Sequence, residues 1–64
     1  MKTYIHIVLL FSERHLTINE IIDAIYDRYQ QIAEYGEVYY YLNYYDGVYD
    51  KQPCGNRRYV YGLK

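Results

Sequence analysis

From Ile18 onward, apolar side chains recur at three- and four-residue intervals. Ile18, Ile21, Ile22, Ile25, Tyr29 and Ile32 form one stripe opposite Asp23, Asp27 and Gln30, which predicts an amphipathic helix over about 18–32. Thr17 stands three residues before Glu20, the spacing of a capping box, and Leu16 and Ile21 flank it as a hydrophobic staple. The stripe loosens at Ala33-Glu34-Tyr35, and Gly36 can adopt turn geometry, so a turn is expected there.

Two segments read less simply. Lys2 to Ser12 is apolar nearly throughout; its period does not separate a buried strand from a buried helix, and its β-branched content favours strand. Glu37 to Asp46 is rich in tyrosine, a strand former, yet Val38, Tyr41, Leu42 and Tyr45 lie at i, i+3, i+4 and i+7, and strict alternation is absent. A helix is expected over 37–46, with Tyr41 and Tyr45 in the core and Asp46-Gly47 as its stop. Beyond it, Val48-Tyr49-Asp50 and Arg58-Tyr59-Val60-Tyr61 flank the turn-rich Gln52-Pro53-Cys54-Gly55-Asn56, a hairpin signature. Pro53, lacking an N–H, belongs at its tip or on an edge.

Length changes this picture first. Sixty-four residues make one small unit, 1–64, with no room for a separate catalytic domain. A lone core of that size supplies only about 3–5 kcal/mol, and the single Cys54 cannot form a disulfide within the chain, so self-association as a homodimer is the expected supplement. The lone cysteine fits a reducing, intracellular setting. The longest apolar run, Ile7 to Phe11, is too short to cross a bilayer, and no membrane span or signal is expected.

Charge and chemistry come next. The net charge of -1 conceals an uneven spread: from Lys51 onward stand Lys51, Arg57, Arg58 and Lys64 with no acid, while the first 36 residues are acidic on balance. Twelve tyrosines and no tryptophan mean that most ring area carries a hydroxyl, so many rings must remain partly exposed. His6, His15 and Cys54 have no metal-ligand spacing, and His15 is expected to end the first helix, where a cation suits the dipole. Asp23 and Asp27 read as a solvated face. With no phosphate-cradling glycine loop and no catalytic constellation, neither an enzyme nor a cofactor is expected.

The succession of pieces resembles the winged helix-turn-helix family. Ile7-Val8-Leu9-Leu10-Phe11 looks like its first helix and Leu16-Thr17-Ile18-Asn19-Glu20-Ile21 like the start of its second. Glu37-Val38-Tyr39-Tyr40-Tyr41-Leu42-Asn43-Tyr44-Tyr45-Asp46-Gly47-Val48 resembles the recognition helix and its exit, and Gly55-Asn56-Arg57-Arg58-Tyr59-Val60-Tyr61-Gly62-Leu63 the wing tip and returning strand. The small size and tyrosine excess are similar to regulators of viruses and plasmids of heat-loving archaea. The resemblance implies a mainly α fold with a β-hairpin, three helices plus a C-terminal wing. It further implies a transcriptional regulator that binds double-stranded DNA as a homodimer, in the host cytoplasm if viral.

Under that resemblance the helix at 37–46 enters the major groove, with Glu37, Tyr39, Tyr40, Asn43 and Tyr44 outward. Asn43 is suited to adenine and the tyrosines to thymine methyls or phosphates. Lys51, Arg57 and Arg58, on the wing over 48–63, would hold backbone phosphate or the minor groove. The family pattern is departed from in one respect: residues 37–46 contain no Arg or Lys and two acids. Contact with ~3–4 phosphates per subunit corresponds to a log-log salt slope of about -3 to -4, which a dimer presenting two wings would strengthen. The alternative is a tyrosine-rich protein-binding module, such as a viral or mobile-element inhibitor of a host protein. A β-α-β-β arrangement with strands at Tyr4–Phe11 and Val38–Tyr45 would suit it better.

Overall fold

The computed structural model describes residues 2–44 and 48–64. Three helices, α1 (Lys2–Phe11), α2 (Ile18–Tyr29) and α3 (Tyr35–Tyr44), precede an antiparallel ribbon of β1 (Tyr49–Gly55) and β2 (Arg58–Leu63). The protein is therefore mainly helical with a C-terminal β-hairpin, a winged-helix-like arrangement. Among the described residues no helix is long and apolar enough to cross a membrane.

The segment whose composition favoured strand is the helix α1. Ile5, Val8 and Leu9 are its buried residues, spaced i, i+3 and i+4, while Leu10 and Phe11 are exposed. Burial imposes the helical period, and the apolar residues left outside are what hid it in the sequence. With Ile18, Ile21 and Ile25 of α2 and Val38 and Leu42 of α3, these side chains form one core cluster, joined by Leu16, Ala33, Tyr49 and Tyr61. Ile5, Ile21, Ile25 and Val38 are essentially sealed from water, and burial of such a side chain stabilises by roughly 1.5–3 kcal/mol.

Helix α2 begins as the sequence indicates. Thr17 Oγ1 accepts from the Glu20 N–H at 3.2 Å, and the Thr17 N–H donates to Glu20 Oε1 at 2.9 Å, closing the capping box. Leu16 and Ile21 are both buried in the core, as a staple requires. The helix ends earlier than its stripe suggests, at Tyr29. Gln30 adopts the left-handed conformation (φ 54°, ψ 34°), donates its N–H to Tyr26 O at 2.8 Å and reaches Asp27 O with its side-chain amide. Ile32 accordingly leaves the apolar face and is 82% exposed.

The turn expected at Gly36 lies upstream of it. The connection occupies residues 30–34, and Gly36 is the second residue of α3, whose first turn closes when the Val38 N–H donates to Glu34 O at 3.0 Å. Tyr41 is half-buried against the core, while Tyr45 and the expected stop at Asp46-Gly47 lie outside the described residues.

The ribbon pairs Tyr49 with Leu63, Lys51 with Tyr61 and Pro53 with Tyr59, and then shifts register between Pro53 and Gly55 before an Asn56-Arg57 turn. Pro53 is tolerated because both strands of a two-stranded ribbon are edges. The ribbon is fastened to the helices by Leu16 and Tyr61. The Leu16 N–H donates to Tyr61 O at 2.9 Å, and the Tyr61 N–H donates to Leu16 O at 2.7 Å. His15 also differs from expectation. It stands four residues beyond the end of α1, in the connection to α2, where its Nε2 lies 2.9 Å from Asp50 Oδ2 on β1. Its ring lies against the backbone of Gly62, where an added Cβ would come within 2.6–2.8 Å of imidazole atoms.

The two glycines predict opposite outcomes for one substitution. Gly36 has a negative φ and nothing near its missing Cβ, so Gly36→Ala should raise stability by about 0.4–1 kcal/mol. Gly62→Ala should displace the His15 ring, break its bond to Asp50 and cost about 1–3 kcal/mol. Urea unfolding midpoints of the two variants against the parent measure both signs.

Candidate nucleic-acid interface

Alternation along the ribbon decides which side chains face α3. Tyr49, Lys51 and Pro53 on β1 share a face with Leu63, Tyr61 and Tyr59 on β2. Near the base this face is closed, with Tyr49 and Tyr61 buried, and towards the tip it opens to Lys51 and Tyr59. Because the backbone groups of Tyr61 are taken by Leu16, Lys51 and Tyr61 form a non-hydrogen-bonded pair, the kind in which opposed side chains stand closer.

Lys51 is held from two sides. Its Nζ donates to Asn43 Oδ1 at 3.0 Å and lies 4.3 Å above the centroid of the Tyr59 ring. Asn43 Nδ2 in turn donates to the carbonyl oxygen of Tyr39 at 2.9 Å and to the Tyr61 hydroxyl at 3.4 Å. Asn43 thus ties α3 to both ribbon strands. Its oxygen and its amide group are both engaged within the molecule.

Between α3, the ribbon and the start of α2 lies an open groove of about 670 Å³. Tyr35 and Tyr39 form its α3 wall, one helical turn apart, while Lys51, Arg57, Arg58 and Tyr59 form the ribbon wall. Thr17, Ile18 and Asn19 bring the N-terminal, electropositive end of α2 to its edge. Among the described residues Arg57 and Arg58 have no carboxylate partner. Arg57 holds the left-handed turn position, φ 55°, where glycine or asparagine is the less strained choice.

Glu20 also lines the groove, and its charge is answered from outside it. Arg14 Nη2 lies 2.6 Å from Glu20 Oε2, with a second bond from Nη1 to Oε1 at 3.3 Å. The Arg14 hydrogen bond and then the Thr17 N–H bring the Glu20 pKa down from 4.5 to about 2. Asp50, also held below the usual carboxylate range, is bound by His15 and Gln52. It occupies the ribbon face opposite Lys51.

Of the residues singled out in the sequence, Tyr39, Lys51, Arg57 and Arg58 line one groove, and Asn43 is joined to it through Lys51. Tyr40 and Tyr44 lie outside it on the adjacent surface of α3, stacked with centroids 5.1 Å apart and rings inclined by 25°. Sequence reasoning missed Tyr35 and Tyr59. The four-residue step from Tyr39 marks Tyr35, and the two-residue step from Tyr61 marks Tyr59, but only docking of the ribbon onto α3 brings those series together.

Two expectations follow. Glu20 has a depressed folded-state pKa, so its stabilising contribution is complete above about pH 4.5 and is lost as pH falls towards 2. Carboxyl NMR titration should place Glu20 near 2, and Arg14→Ala should return it towards 4.5. Asn43→Ala removes the Asn43 hydrogen bonds to Lys51 and Tyr61 and should cost about 1–2 kcal/mol, read by urea unfolding. It should also accelerate amide exchange selectively in β1 and β2. Comparison with family models, curated proteins and solved structures found no match to this chain.

Proposed function

We propose that this protein binds double-stranded DNA and acts as a small transcriptional regulator. The observation that carries the reading is a groove that brings Tyr39 of α3 together with the cations Lys51, Arg57 and Arg58, with Tyr40 and Tyr44 on the adjacent surface of the same helix. A helix and an adjacent basic hairpin can straddle a sugar-phosphate strand, with the helix in the major groove and the tip on the backbone or in the minor groove. We assign base contacts to Tyr39, Tyr40 and Tyr44, and phosphate contacts to Lys51, Arg57 and Arg58. Asn43 reaches a base only by giving up its bonds to Lys51, Tyr61 and the Tyr39 carbonyl, so its role in this reading is to set the position of Lys51. An arginine at a strained, left-handed tip position supports a task for Arg57 that glycine would not perform.

A homodimer is part of the same proposal. Leu10, Phe11 and Ile32 remain 57%, 66% and 82% exposed, apolar surface that a second copy would cover. The stacked Tyr40–Tyr44 pair outside the groove supports a second reading, a protein-binding module directed at a host protein.

Three phosphate contacts per subunit correspond to a log-log salt slope of about -3, and a dimer to roughly twice that. Titration onto duplex DNA from a selected-site library, at several salt concentrations, should return such slopes. Arg57→Ala and Arg58→Ala should each weaken every duplex alike and reduce the magnitude of the per-subunit slope by about 0.9. Arg57→Gly should also weaken binding while leaving the fold as stable or more so, because glycine relieves the positive φ. Affinity unchanged in both alanine variants would overturn the contact scheme. An absence of duplex binding together with one stoichiometric host protein in a nuclease-treated pull-down would put the second reading in its place.

A further inference from the structure

The groove holds two tyrosines, Tyr35 and Tyr59, that the duplex scheme does not use. Three of its tyrosines, Tyr35, Tyr39 and Tyr59, are 55%, 43% and 43% exposed around a concave surface, and three cations stand among them. The convex outer surface of α3, with Tyr40 and Tyr44, is the part suited to enter a duplex groove. The groove is an open concavity of about 670 Å³, with these rings and cations on its facing walls.

We propose that this groove binds single-stranded nucleic acid, with bases stacked on Tyr35, Tyr39 and Tyr59 and phosphates held by Lys51, Arg57 and Arg58. An unpaired strand presents flat apolar faces and a negative backbone together, and proteins that bind it without sequence preference combine aromatic platforms with a positive track. Here the two components are interleaved. Lys51 sits 4.3 Å over Tyr59, so a positive charge and a ring occur at one point, and the tip arginines continue the charge along the ribbon wall. Arg14 neutralises Glu20, the carboxylate that would otherwise repel a phosphate there. An acidic peptide would satisfy the cations but offer nothing flat to three tyrosines. The proposal shares its cations and Tyr39 with the duplex reading, while Tyr35 and Tyr59 are its own, so Tyr59 variants and the two kinds of oligonucleotide tell the readings apart.

The test is fluorescence anisotropy of labelled 12-nucleotide oligothymidylate, oligouridylate and a 12-base-pair duplex with the full chain at low salt, each variant first verified as folded by circular dichroism. Both single strands should bind and quench tyrosine emission. Tyr39→Ala and Tyr59→Ala should each weaken single-strand binding about 5- to 100-fold, while Tyr39→Phe and Tyr59→Phe, which keep the stacking face, should stay close to the parent. The arginine variants should lower both single-strand and duplex affinity. Duplex binding without single-strand binding would overturn this inference and leave the duplex reading standing, whereas single-strand binding alone would support it and remove that reading. Single-strand affinity lost with the arginines but indifferent to Tyr→Ala would overturn the stacking arrangement, and binding of neither nucleic acid would overturn both. Higher affinity for an added oligodeoxyuridylate than for the oligouridylate, which differ only in the sugar, would support the inference with DNA as the ligand, and the reverse order would support it with RNA.

Discussion

Tyr61 joins the ribbon to the helices through both its backbone and its side chain, and the candidate interface depends on that docking. Its backbone exchanges two hydrogen bonds with Leu16, its ring is buried at 2% exposure, and its hydroxyl accepts from Asn43 on α3. An isolated two-stranded hairpin is marginal in water, so β1 and β2 owe their persistence to this docking. Leu16 also stands immediately before the Thr17 cap of α2, so the residue that receives the ribbon belongs to the same staple that sets the entry of that helix. The start of α2, the inner ribbon face and α3 are thereby brought around one groove.

Within that geometry, charge is sorted more finely than the net value of -1 suggests. The groove carboxylate Glu20 is paired with Arg14, and Asp50 is turned to the far ribbon face, where it meets His15. Arg57 and Arg58 have no such partners among the described residues. Acids close to the groove are therefore neutralised or turned away while the tip retains its charge. Surface ion pairs of this kind add little to stability, and their larger effect here is on the local field.

The order of elements was legible because its signals are local. The Thr17–Glu20 box, the stripe of Ile21 and Ile25, and the turn-rich stretch around Asn56 each depend on neighbours a few residues away. Where the local signals were silent or misleading, the deciding forces were not local. Lys2 to Phe11 could not be identified as helix from composition, because Leu10 and Phe11 extend the apolar run without being buried. The end of α2 turned on the left-handed conformation of Gln30, a residue that the stripe counted as an ordinary outward position. Glycine at position 36 permits a turn without requiring one, and nothing occupies the space beside it.

For the candidate site the division is similar. The basic stretch from Lys51 onward and the tyrosines of α3 are plain in the sequence, as is the helical period that separates Val38 and Leu42 from Tyr39 and Asn43. Their relation is not. Lys51 meets Asn43 across eight residues, Asn43 meets Tyr61 across eighteen, and His15 meets Asp50 across thirty-five. The sequence by itself determined the start of α2, the helical period of α3, the hairpin and the excess of positive charge near its tip, since capping, periodicity and turn chemistry act over a few residues. Tertiary structure alone decided that Asn43 spends its amide inside the molecule and that Tyr35 and Tyr59 face a shared groove, because both depend on how the ribbon packs against a helix distant in the chain.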